Sequence, residues 1–268
     1  MVRPMLGSAE PFAEVAQPGR RVGHRVETHA SIVSTNDRAR ALLEEPGGEG
    51  TAVVAEEQLA GRGRRGRSWT SPPGVNLTLS VGLRPRLSAT EAWMLGPAVA
   101  LAARRACAPD AGVALKWPND LVAADGRKLG GLLVETTLLG DELAAAVLGI
   151  GINVNWRVAD MPAELAESAT SLAELAHRDV DRAALLGRLL CELDVEVASI
   201  ESGASPLDRY RDACMTIGQL VTVVTGSGVV AGRAVDLDAR GALVVDTGGG
   251  AVTVTTGEVV RARPGAPP

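Results

Sequence analysis

The stretch GRGRRGRS at residues 61–68 satisfies two phosphate-binding patterns at once. Gly61, Gly63 and Gly66 fit the G-x-G-x-x-G fingerprint of dinucleotide-binding folds, and Arg67 stands where a P-loop has its lysine. Both patterns require a glycine turn that opens a helix, because the helix N-terminal amides bind the phosphate. The flanking sequence therefore decides whether this chain has an α/β nucleotide-binding fold.

The sequence on both sides of this stretch excludes those two folds. Residues 51–56 (TAVVAE) form a short apolar run, as expected for a buried strand. Residues 69–74 (WTSPPG) contain two consecutive prolines and a glycine, which block helix propagation. Residues 75–82 (VNLTLSVG) then alternate between apolar and polar side chains, the period of a half-buried strand. Residues 61–68, called the arginine loop below, are thus predicted to join strand to strand.

The composition is that of a globular protein with one local basic feature. The 268 residues are 46% hydrophobic and 22% charged, and the formal net charge is −5. An acidic balance argues against a general nucleic-acid or anionic-membrane binder. The three cysteines are far apart and form no C-x-x-C pair, which indicates reduced thiols in a cytoplasmic protein. No apolar run reaches the ~20 residues that a membrane-spanning helix needs.

The periodicity of the chain predicts an α+β fold. Capping signals at Ser34 and Ser88 each precede a helical pattern, and a long amphipathic helix is predicted over residues 181–200. Strands are predicted between residues 113 and 152, whereas residues 156–175 are expected to be irregular.

A change in the sequence pattern predicts that the chain is divided into two domains. Short β segments separated by glycine turns follow residue 217, which predicts a small barrel. The predicted organisation is a flexible leader (1–21), a main domain (22–214), a small β domain (215–263) and a tail (264–268).

Three further motifs place polar side chains, or glycines that have no side chain, at the ends of strands. KWPND at residues 116–120 groups a cation, an amide and a carboxylate at one sheet edge. KLGGLLVE at residues 128–135 opens with a lysine and contains a glycine pair, which leaves room for a ligand against the backbone. An Asp-Gly turn between the two motifs is expected to form a hairpin that brings Asp120 near Lys128. GIGINVN at residues 149–155 adds a second bare patch and two amides.

Each motif also has an ordinary structural explanation. Lys116 and Asp120 could form a surface ion pair, the glycine pair could mark a β-bulge, and Trp69 and Trp117 could be packing residues. The arginine loop, however, has four arginines within six positions, and they repel one another unless an anion neutralises them. Together these features predict a pocket for a phosphorylated ligand, because arginine binds phosphate oxygens as a planar fork.

In this order and spacing the motifs resemble those of biotin protein ligases. The series is STN at 34–36, Gln58, the arginine loop with Trp69, SPPGVN at 71–76, KWPND, KLGGLLVE and GIGIN at 149–153. The resemblance runs from about residue 22 to the C-terminus. It implies a mixed sheet packed against helices, related to class II aminoacyl-tRNA synthetases, and an SH3-like C-terminal barrel.

The resemblance also implies a reaction. Biotin would be condensed with ATP to biotinyl-5′-adenylate and pyrophosphate, with Mg²⁺ as the metal ion. Biotin would then be transferred to one lysine of a biotin carboxyl carrier protein, with release of AMP. The main domain would be the catalytic domain, which binds biotin and ATP.

Individual residues receive expected roles from the same resemblance. Those expected to contact biotin are Ser34, Thr35, Asn36, Gln58, Arg62, Gly63, Arg64, Lys128 and Gly131. Those expected to contact ATP or the adenylate are Arg62, Arg64, Arg65, Arg67, Trp69, Lys116, Asn119, Lys128 and Asn153. The expected catalytic groups are Lys128, Arg64 and Asp120, of which Asp120 either orients or deprotonates the acceptor lysine or binds Mg²⁺. The arginine loop is expected to order over the adenylate and exclude water, and the segment after Trp156 to act as a second lid.

Two other functions stay open at this point. A lipoate–protein ligase would share the fold and the adenylate chemistry, although the arginine loop and KWPND are features of biotin ligases. A non-catalytic nucleic-acid-binding module would use the arginine loop for phosphate contacts. Only a short stretch precedes Ser34, so we expect a ligase-only protein, without a winged helix, that binds neither DNA nor membranes. Either a monomer or a homodimer is compatible with the sequence.

Overall fold

In the computed structural model, which describes residues 10–261, the arginine loop connects two strands of a seven-stranded sheet. The strands are β1 (Val26–Ile32), β2 (Ala52–Gln58), β3 (Leu77–Leu83), β4 (Ala114–Lys116), β5 (Asp120–Val122), β6 (Lys128–Leu139) and β7 (Glu142–Ile152). Their spatial order is β1-β2-β3-β7-β6-β5-β4. Strands β1 and β2 are parallel and the other neighbours are antiparallel, so the predicted mixed sheet is confirmed.

The described residues include seven α-helices. They are α1 (Glu10–Ala13), α2 (Thr35–Leu42), α3 (Leu95–Cys107), α4 (Ala163–Ala166), α5 (Leu172–Ala176), α6 (Arg182–Glu201) and α7 (Leu207–Ala213). Helices α3 and α6 pack on each other, since leucines spaced three and four positions apart give α6 a buried stripe. None of the helices between residues 10 and 261 is long and apolar enough to cross a bilayer.

The two predicted helix starts differ in how they are capped. Ser88 and Glu91 form the expected capping box, which begins a 3-10 turn (Ala89–Met94) that continues into α3. Ser34 precedes α2 as predicted, but its side chain makes no capping hydrogen bond. The fourth residue of that motif, Asp37, binds Arg62 instead, so the predicted capping box at Ser34 was wrong.

The C-terminal region forms a second, antiparallel sheet. Its strands are β8 (Leu220–Val224), β9 (Val229–Leu237), β10 (Leu243–Asp246), β11 (Ala251–Val254) and β12 (Glu258–Arg261), in the spatial order β11-β10-β9-β8-β12. The predicted C-terminal β domain is therefore present. Strands β11 and β12 are the edges of the described sheet, so its closure into a barrel stays a prediction.

Three segments differ from the sequence-based expectation. Strand β1 was not predicted, because VETHASI lacks a clean apolar alternation. The segment expected to be irregular contains a 3-10 turn (Val158–Asp160) and helices α4 and α5. Residues 1–9 of the predicted leader and 264–268 of the predicted tail lie outside the described residues. From residue 10 the leader is folded, since Phe12 is buried and its ring lies 5.1 Å from the Arg182 guanidinium.

Candidate active site

A cavity of about 620 Å³ lies between the sheet and the arginine loop. Glycines of β6 and β7 form its floor, and the arginine loop with Trp69 covers it. The start of α2 and Gln58 form one end, and Lys128, Asn153 and residues 162–169 line the other. One cavity therefore brings together most of the predicted site residues.

The bare floor is occupied in part by the Trp69 indole. A Cβ on Gly151 would lie 2.5 Å from this ring, and a Cβ on Gly131 would lie 3.3 Å from it. On Gly149 a Cβ would lie 2.4 Å from Asn36 Oδ1. These glycines therefore let a tryptophan and an amide approach the strand backbone. Gly130 instead packs on the Gly151 carbonyl.

Hydrogen bonds connect the side chains at the α2 end of the cavity. Gln58 Oε1 accepts from Thr35 N at 2.8 Å and from Thr35 Oγ1 at 2.9 Å. Ser80 Oγ lies 2.5 Å from Asn36 Oδ1 and 2.7 Å from Thr35 Oγ1. Asn36 Nδ2 donates to Glu135 Oε2 at 2.7 Å. The result is a polar wall whose members are held by one another. Thr35, Asn36 and Ser80 are buried, whereas Gln58 and Glu135 are partly exposed.

Ser80 and Glu135 belong to this network, yet the sequence did not single them out. The alternation in VNLTLSVG predicts that Thr78 and Ser80 lie on an exposed face. All seven residues of β3 are in fact buried, because α2 covers the second face of the strand. The sequence correctly predicts that apolar and polar side chains alternate along β3. Only the packed structure shows that α2 covers the polar face of the strand.

The arginines of the loop have separate partners within the protein. Arg62 binds Asp37 at 2.6 and 2.9 Å, and Arg67 binds the Glu258 carboxylate at 2.7 Å. The hydrogen bond from Arg62, opposed by burial, lowers the pKa of Asp37. Two of the four arginines are thus neutralised by carboxylates of the protein itself, and their contacts with a phosphorylated ligand stay a prediction.

The other two arginines have neutral acceptors. Arg65 donates to the Val224 carbonyl at 2.8 Å, with its backbone in the left-handed region at φ 58°. Arg64 donates to Asn119 Oδ1 at 3.3 Å and forms no ion pair with any residue between 10 and 261. Burial lowers the pKa of Arg64, although the negative charge of Asp120 opposes this effect. Arg64 is therefore a partly buried arginine whose charge is not paired with a carboxylate of the described residues, so it is available to bind an anion.

The predicted hairpin places Asp120 against Lys128. Asp120 on β5 pairs with Gly131 on β6, and Lys128 Nζ donates to Asp120 Oδ1 at 2.6 Å. The same Nζ lies 5.9 Å from the centroid of the Trp69 ring. Both the cation–carboxylate pair and its hairpin were predicted from the sequence.

The second end of the cavity is held by main-chain hydrogen bonds. Lys128 N donates to the Ser168 carbonyl, and Thr170 N donates to the Lys128 carbonyl, each at 2.8 Å. Asn153 Nδ2 donates to the Thr170 carbonyl at 3.0 Å. The segment between Trp156 and Thr170 therefore closes this end, and its role as a second lid stays a prediction.

Three predicted site residues lie outside the main cavity. Arg65, Lys116 and Asp120 line a small adjoining cleft of about 20 Å³ beside Glu258. Lys116 is the register partner of Asp120 across β4 and β5. The predicted site residues that do line the main cavity are Ser34, Thr35, Asn36, Gln58, Arg62, Gly63, Arg64, Arg67, Trp69, Asn119, Lys128, Gly131 and Asn153.

Comparison with known proteins identifies the family. Residues 29–153 match the biotin/lipoate A/B protein ligase family, and residues 216–261 match the biotin protein ligase C-terminal domain. The chain is 38% identical to the biotin–[acetyl-CoA-carboxylase] ligase of Mycobacterium tuberculosis, over 80% of each chain. It is 31% identical to the bifunctional ligase/repressor BirA of Bacillus subtilis, over 89% of this chain and 74% of that protein.

A solved structure shows the same architecture. The biotin protein ligase from Aquifex aeolicus in complex with biotin and ATP superposes with a TM-score of 0.72 at 29% identity. The match covers 88% of this chain and 97% of that one. Together with the two family matches and the relative at 38% identity, this establishes that the chain belongs to the biotin protein ligases.

Proposed function

We propose that this protein activates biotin with ATP to biotinyl-5′-adenylate and transfers biotin to one lysine of a biotin carboxyl carrier protein. One observation carries the proposal: a single cavity joins the polar wall at Thr35 and Gln58 to the cations Arg64 and Lys128. Its volume, about 620 Å³, is within the range of small-molecule sites. Such a cavity fits a ligand with a polar ring at one end and an anion at the other.

Biotin has this distribution of polar groups. The ureido ring would meet the hydroxyl and amide groups of the wall, and its aliphatic chain would cross the floor between Leu79, Ile150 and the Trp69 ring. The biotin carboxylate would then face Lys128. Ser34, Asn36, Gly63 and Gly131 remain proposed biotin contacts.

The first step joins two anions. A carboxylate oxygen of biotin attacks the α-phosphorus of ATP, and the bond from that phosphorus to the pyrophosphate oxygen breaks. Repulsion between the reactants raises the barrier, which fixed cations lower. Lys128 and Arg64 are the proposed groups, because both line the cavity and Arg64 has no carboxylate partner among the described residues.

The adenylate is a mixed anhydride that water hydrolyses. The arginine loop and Trp69 cover the floor, so a loop that stays closed over the adenylate would exclude water. Arg62, Arg65, Arg67, Lys116, Asn119 and Asn153 are proposed contacts to ATP or the adenylate. Arg65 and Arg67 would have to leave Val224 and Glu258 to reach a phosphate.

Magnesium is proposed as an ion that arrives with ATP. Among residues 10–261 no group of three or more His, Cys, Asp or Glu side chains could hold a metal ion. Mg²⁺ commonly binds through one or two carboxylates together with substrate phosphates. Asp120 is the protein carboxylate that would hold such an ion beside the substrate phosphates. When bound, the ion would neutralise phosphate charge.

For the second step, the proposed role of Asp120 is to orient or deprotonate the acceptor lysine. The amine attacks the carbonyl carbon of the adenylate, the bond to the phosphate oxygen breaks, and AMP leaves. The amine must be neutral to attack, and a carboxylate within reach can accept its proton. Cytoplasmic localisation, the absence of DNA binding and the oligomeric state stay predictions.

Biotin-dependent ATP–pyrophosphate exchange tests the proposed function. We expect exchange with biotin and none with lipoate or without an acid. Exchange with lipoate alone would keep the adenylate chemistry and replace the substrate. No exchange by a folded protein, together with salt-dependent binding of random RNA, would favour the nucleic-acid-binding alternative.

A further inference from the structure

Glu135 lies on the cavity-lining face of β6, one step beyond the cavity. Gly131 and Leu133 line the cavity, and the two-residue period of a strand puts Glu135 on the same face. Its carboxylate accepts from Asn36 Nδ2 at 2.7 Å and from Arg40 at 2.9 Å. Burial opposes ionisation, but these two hydrogen bonds lower the pKa of Glu135, so the group is a carboxylate at neutral pH.

This carboxylate decides which way the Asn36 amide faces. The two ends of an amide have nearly the same shape but opposite hydrogen-bonding capacity, and a carboxylate only accepts. Glu135 therefore holds the Asn36 NH₂ towards itself and leaves Oδ1 facing Ser80 Oγ, 2.5 Å away. Asn36 is 6% exposed and Ser80 is fully buried, so bulk water does not reach the hydrogen bond between them.

The amide orientation in turn sets the hydroxyl protons. Ser80 has one proton, and Asn36 Oδ1 has none, so the bond between them uses the serine proton. Ser80 Oγ also lies 2.7 Å from Thr35 Oγ1, which is 2.9 Å from Gln58 Oε1. A reversed amide would present hydrogens to Ser80 and move the serine proton towards Thr35. The donor and acceptor order from Asn36 through Ser80 to Thr35 thus depends on Glu135, whereas Gln58 Oε1 is held as an acceptor by the Thr35 main-chain N–H.

We infer that Glu135 is a positioning residue for biotin, which fixes the donor and acceptor order of the wall without contacting the ligand. The inference rests on the proposed function, because the wall is the proposed site of the ureido ring. A ureido group has one acceptor oxygen and two N–H donors, so it is recognised by partners of fixed polarity. A buried wall with the wrong polarity leaves groups unpaired and rejects the ligand.

The test is the kinetics of biotin-dependent ATP–pyrophosphate exchange. Glu135→Leu removes the acceptor, and we expect the KM for biotin to rise about tenfold or more. The kcat and the KM for ATP should stay within about threefold, because neither depends on the wall. Glu135→Gln retains an acceptor oxygen and should restore the KM for biotin. Arg40→Gln, the matched control, removes a charged partner of Glu135 and should have no effect.

Two results would overturn the inference while leaving the proposed function intact. One is an unchanged KM for biotin in Glu135→Leu. The other is a KM for biotin that rises in Glu135→Gln and Arg40→Gln as much as in Glu135→Leu. That result would show that biotin binding depends on the charge at this position and not on the amide orientation. No exchange by the wild type would instead overturn the proposed function, and the inference with it.

Glu135→Met decides the question if Glu135→Leu does not fold. Its unbranched side chain is close in length to glutamate and provides no acceptor for the Asn36 amide. We expect the same rise in the KM for biotin as in Glu135→Leu. An unchanged KM for biotin in folded Glu135→Met would overturn the inference.

Discussion

Four arginines that are alike in the sequence have different environments in the folded protein. Arg62 and Arg67 each bind a carboxylate, and Arg65 binds a main-chain carbonyl. Within residues 10–261, Arg64 donates only to Asn119 Oδ1. Arginine without a carboxylate partner is the strongest candidate to bind a phosphate, because its charge is not yet neutralised. Arg64 and Arg65 both lack a carboxylate partner among the described residues, and of these two only Arg64 lines the main cavity. Retention of the adenylate should therefore depend most on Arg64.

Replacing Arg64 should release the intermediate. A charge-assisted hydrogen bond contributes roughly 1.5–3 kcal/mol, so Arg64→Gly should lower retention of biotinyl-adenylate by about one to two decades. Rapid filtration after a single round of adenylation measures the retained fraction. Arg64→Lys keeps the charge and should retain more than Arg64→Gly. Wild-type retention in Arg64→Gly would contradict the role of this residue in the lid.

Asp120 is the group proposed for the second step, and its amide variant separates its two proposed roles. Asp120→Asn should slow transfer from supplied biotinyl-adenylate to the carrier protein by about a hundredfold, because a general base contributes about 10²–10⁴. Asp125→Asn, in the exposed turn of the same hairpin, is the matched control. Loss of adenylate formation with normal single-turnover transfer would assign Asp120 to the metal ion instead.

At the scale of elements, the glycines of β6 and β7 shape the floor against Trp69. Two neighbouring strands each have a glycine where the indole approaches, at Gly131 and Gly151. The Trp69 indole nitrogen is buried and has no hydrogen-bond partner among the described residues. The ring position is therefore set by packing, and it should respond to any atom added below it.

Adding one methyl group to the floor should displace this ring. Gly151→Ala would place a Cβ 2.5 Å from the indole, and overpacking of this kind costs about 1–3 kcal/mol. We expect a higher KM for biotin or ATP in the exchange assay and a lower melting temperature. Gly96→Ala in α3 is the matched control, because the added Cβ would meet no atom within 4 Å beyond its chain neighbours and the backbone of its own helix. Unchanged kinetics in Gly151→Ala would show that Trp69 does not define the cavity.

At the scale of the whole molecule, the two sheets share one hydrophobic core. The core includes Leu77 and Leu148 of the first sheet and Val223 and Leu243 of the second. Trp117 Nε1 also donates to the Gly241 carbonyl at 3.0 Å, next to the KWPND hairpin. The C-terminal sheet therefore contributes to the surroundings of the cavity, although the boundary between domains near residue 215 stays a prediction.

Ion pairs across the molecule predict loss of stability in acid. The hydrogen bond from Arg38, opposed by burial, lowers the pKa of Glu27 from 4.5 to about 2. A carboxyl whose pKa is lower in the folded protein than in the unfolded chain stabilises the fold at pH values above its unfolded pKa. This contribution is lost as the pH falls towards the folded pKa of about 2. Glu27→Gln should therefore reduce the free energy of unfolding at pH 7, and the difference from wild type should shrink towards pH 2.

Urea unfolding at pH 7 and pH 3 measures this difference. Glu44→Gln is the matched control, because the Glu44 side chain is 82% exposed. Exposed pairs contribute little in solution, so its effect should be small at both pH values. An equal loss at both pH values in Glu27→Gln would contradict the contribution of the ion pair.

Local patterns were sufficient for much of this protein. Two prolines after the arginine loop excluded a helix there, and the Asp-Gly turn predicted the hairpin that brings Asp120 to Lys128. The order of the motifs identified the family, which the comparisons confirmed. These features are readable because turn chemistry, helix blocking and strand period act within a few residues.

Other features depend on packing between distant segments. Arg67 meets Glu258 191 positions away, α2 covers the polar face of β3 around Ser80, and Trp69 lies on Gly151 of a different strand. No local period encodes such contacts, because a side chain finds its partner only when separate elements pack together. The sequence by itself therefore determined the strand-to-strand loop, the hairpin and the family. Tertiary structure alone decided which loop arginines bind a carboxylate and which carboxylate orients the polar wall, because burial and long-range pairing set the charge and hydrogen-bond balance at each group.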